Sequence, residues 1–358
     1  VEMNRRYLSR TMGVTACLAL LAALAGTSVQ AQEAGCQAVT PETCALAKSL
    51  RRGVNFGNML EAPREGDWGL KVEQLYIDEA GAAFSTVRLP VRWSNHAAPT
   101  EAATLDEVFA RRIDAVVDML LSKGVNVILD LHGYDQIYGD GLQPNEFSVN
   151  PAIVETRLIN IWRQVAARYR TYPSKLVFEL LNEPHGKLDG EPWNLLAPKV
   201  LAAVRESNPT RAVLIGPTYW YSVRDLPKLR MPADRNLILA IHNYDPFGFT
   251  HQGVSWIPLS IQQPGSTCCD AAQKKQITDA MDAVKRWSTT NGYPAHLGEF
   301  GAYSAAAMSS REAYTRFVRD TVEARGFGWT YWEFASSFGV YDPKAKRWIE
   351  PLRRALLD

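Results

Sequence analysis

Residues 176–186 read Leu-Val-Phe-Glu-Leu-Leu-Asn-Glu-Pro-His-Gly, and the rest of the chain can be interpreted from this stretch outward. The apolar residues 176–181, interrupted only by Glu179, are typical of a buried strand. Pro184 has no amide hydrogen to give to a sheet ladder, so the strand must end before it. The sequence therefore predicts that Asn182 and Glu183 stand at the carboxyl end of a buried strand, where parallel α/β sheets carry their chemistry.

A second carboxylate follows a predicted strand in the same way. Residues 295–301 read Ala-His-Leu-Gly-Glu-Phe-Gly, so that a short strand ends at Glu299. Taken alone, Glu183 could equally be a rim carboxylate in a surface salt bridge. Two carboxylates delivered to one face of a sheet are the arrangement that glycoside hydrolysis requires, and the sequence predicts that chemistry for this pair.

Strand-like runs alternate with segments of helical periodicity along the chain. Eight apolar runs are typical of strands, at residues 54–59, 85–91, 126–131, 176–181, 212–215, 237–241, 295–297 and 328–331. The predicted helices include residues 153–169, 193–206, 273–289 and 311–325, one from a capping box at 104–107 to 123, and one from about 40 to 53. This alternation, without an internal repeat, predicts an α/β fold consisting of a single (β/α)8 TIM barrel.

The amino-terminal residues have the pattern of a targeting segment. Three arginines precede an apolar stretch at residues 14–25, and residues 29–31 resemble a signal-peptide cleavage site. The apolar stretch is too short to span a membrane. We therefore expect a signal peptide at residues 1–31 and a catalytic domain at residues 32–358. The expected location is secreted or periplasmic, with no membrane association after cleavage.

Overall composition argues against several classes of partner and cofactor. A formal charge of +1 over 358 residues gives no indication of a nucleic-acid partner or an anionic membrane. No cysteine has metal-like spacing with a histidine, and no His-Glu-x-x-His motif occurs. We expect no metal, no other cofactor and a monomeric protein.

Four cysteines follow the predicted signal peptide: Cys36, Cys44, Cys268 and Cys269. An exported protein permits disulfides, and a bridge between the first two is compatible with an extension below the barrel. A bridge between the adjacent pair would be strained, because neighbouring Cα atoms lie closer than the usual disulfide range. The pairing of the four is left open at this point.

Polar side chains stand at the carboxyl ends of most of the predicted strands, and in a barrel these ends build the active site. They are Asn58, Glu61, Arg88, Arg92, His132, Asn182, Glu183, His242, Tyr244, Glu299, Trp332 and Glu333. Simpler interpretations exist for several of them. Arg88 could bridge rim carboxylates, the two histidines could be satisfied core residues, and Trp332 could belong to the core.

Five motifs together resemble glycoside hydrolase family 5, the retaining cellulase and mannanase family of clan A. They are GNMLEAPREGDWG at 57–69, FELLNEPHG at 178–186, HNYDPFGFTHQG at 242–253, LGEFGAY at 297–303 and YWEFASSFGVYD at 331–342. The resemblance covers nearly the whole chain after the predicted signal peptide. It is closest to bacterial endoglucanases with both cellulase and mannanase activity.

The resemblance implies a role for individual residues of this chain. Glu183 would be the general acid/base and Glu299 the nucleophile. Arg88 and Tyr244 would hold the nucleophile, and Asn182 would contact the 2-hydroxyl of the sugar. The central sugar subsite would be lined by His132, His242 and Trp332.

Further residues are expected to bind the substrate. Asn58 and Glu61 would grip a neighbouring sugar, Glu333 is interpreted as a rim or binding residue, and His251 could reach the substrate from its loop. The close relatives often have His-His-Tyr after the third strand, where this chain has His-Gly-Tyr with Gly133 in the middle. This departure leaves the substrate preference open.

The expected charges of the two glutamates follow from their predicted neighbours. The Arg88 cation and the Tyr244 hydroxyl would favour an ionised Glu299, whose charge would raise the pKa of Glu183 and keep it protonated. The predicted function is that of an exported retaining endo-β-1,4-glucanase, with mannan or glucomannan as candidate second substrates. The alternatives are a dedicated endo-β-1,4-mannanase and an inactive carbohydrate-binding protein.

Overall fold

The structure, a computed structural model, describes residues 34–358. The predicted signal peptide lies outside the described residues. Eight parallel strands form a closed barrel in chain order, each paired with the next and the eighth with the first. They are β1 Arg52–Asn55, β2 Thr86–Val91, β3 Asn126–Leu131, β4 Leu176–Glu179, β5 Val213–Ile215, β6 Leu237–His242, β7 Ala295–Glu299 and β8 Gly328–Tyr331. The prediction of a single (β/α)8 barrel is confirmed.

Amphipathic helices surround the barrel. The longer ones are Pro41–Ser49, Gln74–Ala83, Glu107–Ser122, Val154–Arg168, Glu191–Arg205, Ala271–Asn291, Met308–Glu323 and Glu350–Leu357. Each buries an apolar face against the strands. In Glu107–Ser122, for example, Ile113, Val116 and Val117 are completely buried, as the helical periodicity of this segment requires.

Two local predictions were wrong in detail. The helix after β2 is capped by Asp106, whose side chain accepts from the amides of Val108 and Phe109, and the predicted capping box at 104–107 does not form. Residue 105 instead pairs with residue 97 in an isolated bridge, which keeps this segment extended. The first helix ends at Ser49 because β1 already begins at Arg52. Between β5 and β6 the structure has a 3₁₀ helix, Val223–Lys228.

The helix Pro41–Ser49 lies across the amino-terminal end of the barrel. Ala47 and the adjoining Leu50 pack with a cluster of barrel side chains that includes Ile128, Val177 and Leu214. Cys36 and Cys44 form a disulfide with Cα atoms 5.8 Å apart. A second disulfide joins the adjacent Cys268 and Cys269. From the sequence we expected a bridge between these neighbours to be strained.

The opposite, carboxyl end of the barrel brings polar residues of neighbouring strands to the same height. Asn55 pairs in register with Arg88, Asp130 with Glu179, and His242 with Glu299. Among residues 34–358, no helix combines the length and apolar character needed to cross a membrane.

Candidate active site

Arg88 is the centre of the polar cluster at the carboxyl end of the barrel. It is completely buried on β2, and its guanidinium meets three carboxylates. Two of its nitrogens donate to the two oxygens of Glu179 at 2.8 Å each, a third contact joins it to Oδ2 of Asp130 at 2.9 Å, and Nη1 donates to Glu299 at 2.8 Å. Because an unpaired guanidinium would be very unfavourable in this setting, the carboxylates determine its orientation.

Arg88 also orients Asn182, the amide that precedes Glu183. Its Nη2 donates to Oδ1 of Asn182 at 2.8 Å. With the amide oxygen engaged in this way, the NH2 group is the part of Asn182 that is left to bind a ligand. A donor at this position is compatible with the sugar-hydroxyl contact that the resemblance implies.

Glu299 ends β7 and is held from two sides. One carboxylate oxygen accepts from Arg88, and the other accepts from the hydroxyl of Tyr244 at 2.9 Å. The side chain is only 6 % exposed. Burial raises the pKa of Glu299, while Arg88 and the Tyr244 hydrogen bond oppose the rise. Arg88 and Tyr244 thus favour the ionised carboxylate, as predicted. The pKa of Glu299 is nevertheless raised, because burial has the larger effect.

Glu183 follows β4 and has a different environment. Its backbone is left-handed, with φ of 48°, which is rare for a residue other than glycine. Its Oε1 lies 2.6 Å from Nδ1 of His242, and its side chain is 21 % exposed. Burial raises the pKa of Glu183 well above its ordinary value, and the charge of Glu299 raises it further.

The two glutamates and His242 form a compact triangle. One carboxylate oxygen of each glutamate and one ring nitrogen of His242 all lie within 4.8 Å of one another. Such a donor set could also hold a cation, but the same geometry suits proton transfer between acid and substrate. Burial lowers the pKa of His242 well below its ordinary value, so the ring is neutral beside Glu183.

A family model described as Cellulase (glycosyl hydrolase family 5) matches residues 55–337, a span that contains all the residues described above. The chain belongs to glycoside hydrolase family 5. The span that matches the family model includes both glutamates, one following β4 and one ending β7.

Named relatives in family 5 include several endoglucanases. Endoglucanase H of Acetivibrio thermocellus is 35 % identical over 80 % of this chain, and Endoglucanase 3 of Fibrobacter succinogenes is 28 % identical over 86 % of it. The chain spans 30 % of the length of the first relative and 53 % of the second.

Solved structures match over nearly their full length. The endoglucanase Cel5A of Thermotoga maritima is 38 % identical, with a TM-score of 0.83, and the match covers 88 % of this chain and 99 % of that chain. The cellulose synthase subunit Z of Clostridioides difficile is 34 % identical, with a TM-score of 0.80, covering 86 % and 99 %. The fold of this chain is thus shared by an endoglucanase and by a cellulose synthase subunit.

His132 and Trp332, two of the predicted subsite residues, stack on each other beside the cluster. Their ring centroids lie 5.7 Å apart at an angle of 14°. Nδ1 of His132 lies 2.7 Å from Oδ2 of Asp130. Burial, followed by the charge of Arg88, lowers the pKa of His132 to about 4, and burial raises the pKa of Asp130 to about 7. Trp332 is partly exposed, unlike the core residue that was its alternative interpretation.

Asn58 and Glu61, predicted to grip a neighbouring sugar, and Glu333, predicted as a rim or binding residue, are linked by hydrogen bonds. Asn58 donates from its side chain to Glu333 at 2.7 Å. The carboxylate of Glu61 accepts from the backbone amides of residues 58 and 59, and Glu61 is only 1 % exposed. Burial raises the pKa of Glu333 to about 8. In this arrangement Glu61 shapes the loop after β1 from beneath, and Asn58 lies nearer the surface.

His251 lies behind Tyr244 and is 8 % exposed. Its ring stacks on Phe247 with centroids 4.2 Å apart and meets Tyr244 edge-on at 4.9 Å. Nδ1 lies 3.0 Å from the hydroxyl of Thr250. The structure therefore shows His251 packed against the Tyr244 ring, and its contact with the substrate stays a prediction.

Gly133, the departure from the close relatives, has a positive φ of 70°. A side chain there would place its Cβ 2.4 Å from Cζ of Arg92. Arg92 is held by an ion pair with Glu146 and by a 2.6 Å bond from Nε to the carbonyl of Glu61. Arg92 therefore fills the space that a side chain at residue 133 would need.

Four residues of the site were not identified from the sequence: Asp130, Glu179, His185 and Trp220. Asp130 and Glu179 are acidic residues inside apolar strand runs. A buried acidic side chain needs a partner, and this could have marked both residues as members of a polar site. Trp220 is 45 % exposed and stacks on His185 with centroids 4.7 Å apart. Trp220 belongs to a left-handed turn at residues 219–221 that contains no glycine. The sequence has no pattern that predicts such a turn.

Proposed function

We propose that this family 5 protein is a retaining endo-β-1,4-glucanase that acts by double displacement. The observation that carries the proposal is the approach of Glu183 and Glu299 within 4.8 Å in unequal surroundings. Retaining glycosidases have carboxyl groups about 5–5.5 Å apart, whereas inverting enzymes leave roughly 6.5–9.5 Å for a water molecule. The names of the relatives support glucan as the substrate.

In the first step Glu299 is the nucleophile. Its carboxylate attacks the anomeric carbon, the bond from that carbon to the leaving oxygen breaks, and a glycosyl ester forms. Glu183, kept protonated by burial and by the charge of Glu299, donates its proton to the leaving oxygen. Arg88 and Tyr244 hold Glu299 in place for the attack.

In the second step Glu183 acts as a base. The ester has removed the negative charge of Glu299, so the pKa of Glu183 falls and the residue can accept a proton from water. The water oxygen attacks the anomeric carbon and the ester bond breaks. His242, neutral and bonded to Glu183, keeps the carboxyl group in one orientation through both steps.

Two measurements test this function. Release of reducing ends from a soluble cellulose derivative, glucomannan, mannan and xylan should be highest with a glucan. Proton NMR of the first product should show the anomeric configuration of the bond that was cut; the opposite anomer would exclude this mechanism. No release from any of the four polysaccharides would favour the carbohydrate-binding alternative.

Mannan is a second candidate substrate. A structure of Thermotoga maritima Cel5A, 38 % identical to this chain, is described as a complex with mannotriose. Glucose and mannose differ at the 2-hydroxyl, and Asn182 is the residue that we assign to this position. A higher kcat/KM for mannan than for glucan would make the protein a mannanase with the same mechanism.

We also propose export, on the basis of the targeting pattern at residues 1–31. A polymer cannot enter a cell, so an enzyme that cuts internal bonds acts outside the cytoplasm. Fractionation of expressing cells, followed by amino-terminal sequencing of the mature protein, should give a chain that starts at Gln32.

A further inference from the structure

The backbone that carries Glu183 is held by side chains at four successive carbonyl groups. Each carbonyl from residue 180 to residue 183 lies within hydrogen-bond distance of the polar atom of an aromatic or imidazole side chain. The pairs are Trp162 with Leu180 at 2.7 Å, Tyr221 with Leu181 at 2.6 Å, Tyr138 with Asn182 at 2.6 Å, and His185 with Glu183 at 2.6 Å.

The last of these contacts acts on the residue with the unusual backbone. Glu183 has φ of 48°, and a left-handed conformation at a residue other than glycine persists only where its surroundings enforce it. The direction of the Glu183 carbonyl is set by the ψ angle of Glu183. A bond from His185 to that carbonyl therefore fixes the part of the backbone from which the carboxyl group is aimed.

His185 is itself fixed from three directions. Its ring lies between Tyr138 and Trp220, with centroids 4.3 Å and 4.7 Å away and interplanar angles of 20° and 17°. Nδ1 faces the Glu183 carbonyl, and Nε2 lies 2.8 Å from Oδ2 of Asp140. Carbonyl and carboxylate oxygens only accept, so both contacts are hydrogen bonds when each ring nitrogen carries a proton.

We propose that His185, anchored by Asp140, is a positioning residue for the acid/base Glu183. The inference rests on the proposed function. His185 bonds to the backbone carbonyl of Glu183, and its effect on the reaction passes through that carbonyl. Without it the peptide after Glu183 can turn, and the proton is no longer aligned with the leaving oxygen. Glu299, on another strand with other partners, keeps its position.

This division of roles makes a kinetic prediction that a purely structural role would not make. Proton donation matters for a poor leaving group and is dispensable for a good one. The test measures kcat/KM for a series of aryl β-cellobiosides, from phenyl to 2,4-dinitrophenyl, because kcat/KM reports the first step. Two variants are compared with the wild type: Asp140→Asn and His185→Phe, the second of which keeps a ring in the stack.

We expect losses of about 10-fold for Asp140→Asn and about 100-fold for His185→Phe with the phenyl glycoside, within the range of a general acid's contribution. With the dinitrophenyl glycoside the loss should be less than about 2-fold, so the dependence of kcat/KM on the leaving group becomes steeper. Asp140 has a 52 % exposed side chain, which makes its variant the one that tests the proposal without disturbing folding.

The matched control is Asp282→Asn, which also removes one ion-paired surface carboxylate. Asp282 lies on the helix Ala271–Asn291, accepts from Arg325 and is 44 % exposed, and it makes none of the contacts described for the active site. This control should follow the wild-type line. An equal loss for all leaving groups, or no loss in either variant, would overturn the positioning role. A wild-type protein that cleaves none of the glycosides would instead refute the proposed function.

Discussion

The carboxyl ends of β4 and β7 place their glutamates by different physical means. Glu299 is the last residue of β7, just after a shift in the register against β6, and is held through its side chain by the cation of Arg88 and the hydroxyl of Tyr244. Glu183 stands beyond the end of its strand on a left-handed backbone, held from behind at the carbonyls. The nucleophile is positioned by charged and polar side chains, and the acid by its main chain together with the neutral ring of His242.

The difference matches what each group must do. A nucleophile needs its charge in one place, and charged hydrogen bonds supply that directly. An acid/base must change its protonation state twice in each cycle, so strong ionic partners on its carboxyl group would oppose one of the two states. Holding Glu183 by its backbone, at a conformational energy of about 1–3 kcal/mol, leaves its carboxyl group free to titrate.

The largest effect should come from Glu299→Gln. The amide keeps the size of the side chain but cannot form the ester, so activity should fall for every substrate, by more than the roughly 10⁴-fold upper range of a lost general acid. The measurement is kcat/KM on polysaccharide and on 2,4-dinitrophenyl β-cellobioside. Activity that survives on the activated substrate would assign the nucleophile elsewhere.

Glu183→Ala should have the next largest effect, and a selective one. Polysaccharide cleavage should fall on the order of 10²–10⁴-fold, because a sugar alkoxide leaves only when protonated. An activated aryl cellobioside should still form the ester in a burst, and azide should speed its turnover, giving a glycosyl azide of retained configuration. Responses identical to those of Glu299→Gln would contradict the separate roles.

Tyr244→Phe should have a smaller effect, confined to the nucleophile. A hydrogen bond to a charged group contributes about 1.5–3 kcal/mol, so kcat should fall roughly 10- to 100-fold with little change in KM. The lost bond favoured the ionised carboxylate, so the pKa of Glu299 rises and the acidic limb of kcat/KM moves to higher pH. A pure change in KM would make Tyr244 a binding residue.

Glu179→Gln should have the smallest effect. It tests whether a residue on β4, the strand of the acid, acts on the nucleophile of β7. Glu179 lies on β4, below Glu183, but its carboxylate bonds to Arg88 and so acts on Glu299. Removing this negative charge leaves the Arg88 cation less neutralised, which lowers the pKa of Glu299 and moves the acidic limb to lower pH. We expect a loss in kcat/KM of about 3- to 10-fold, equal for all leaving groups. A steeper dependence on the leaving group would link Glu179 to the acid instead.

Much of the fold could be predicted because apolar runs and helical periodicity are local properties. All eight strands were located in the right order, and two had the observed bounds, Asn126–Leu131 and Gly328–Tyr331. The first strand was placed too late, at 54–59. Residues 57–60 look apolar but turn out of the barrel, with Asn58 left-handed at φ of 63°, a conformation that the pattern does not reveal.

The site was harder to predict where a residue acts through a neighbour. Asn182 and Tyr244 follow strand ends and could be named from position, and Arg88 was named with them although it lies in the middle of β2. The role of Asp130 and Glu179 is evident only from the structure, where both carboxylates form ion pairs with the guanidinium of Arg88. For His251 the loop position suggested contact with substrate, and the structure adds that its ring packs against Tyr244.

The carbonyl contacts behind Glu183 also limit how this site can be transplanted. Their donors come from a helix, from the loops after β3 and β5, and from the Glu183 loop itself. Gly186 belongs to the same unit, since a Cβ there would lie 2.4 Å from the carbonyl oxygen of Tyr138. Transfer of the Asn-Glu-Pro motif alone into another barrel would therefore supply the acid without the hydrogen bonds that orient its backbone.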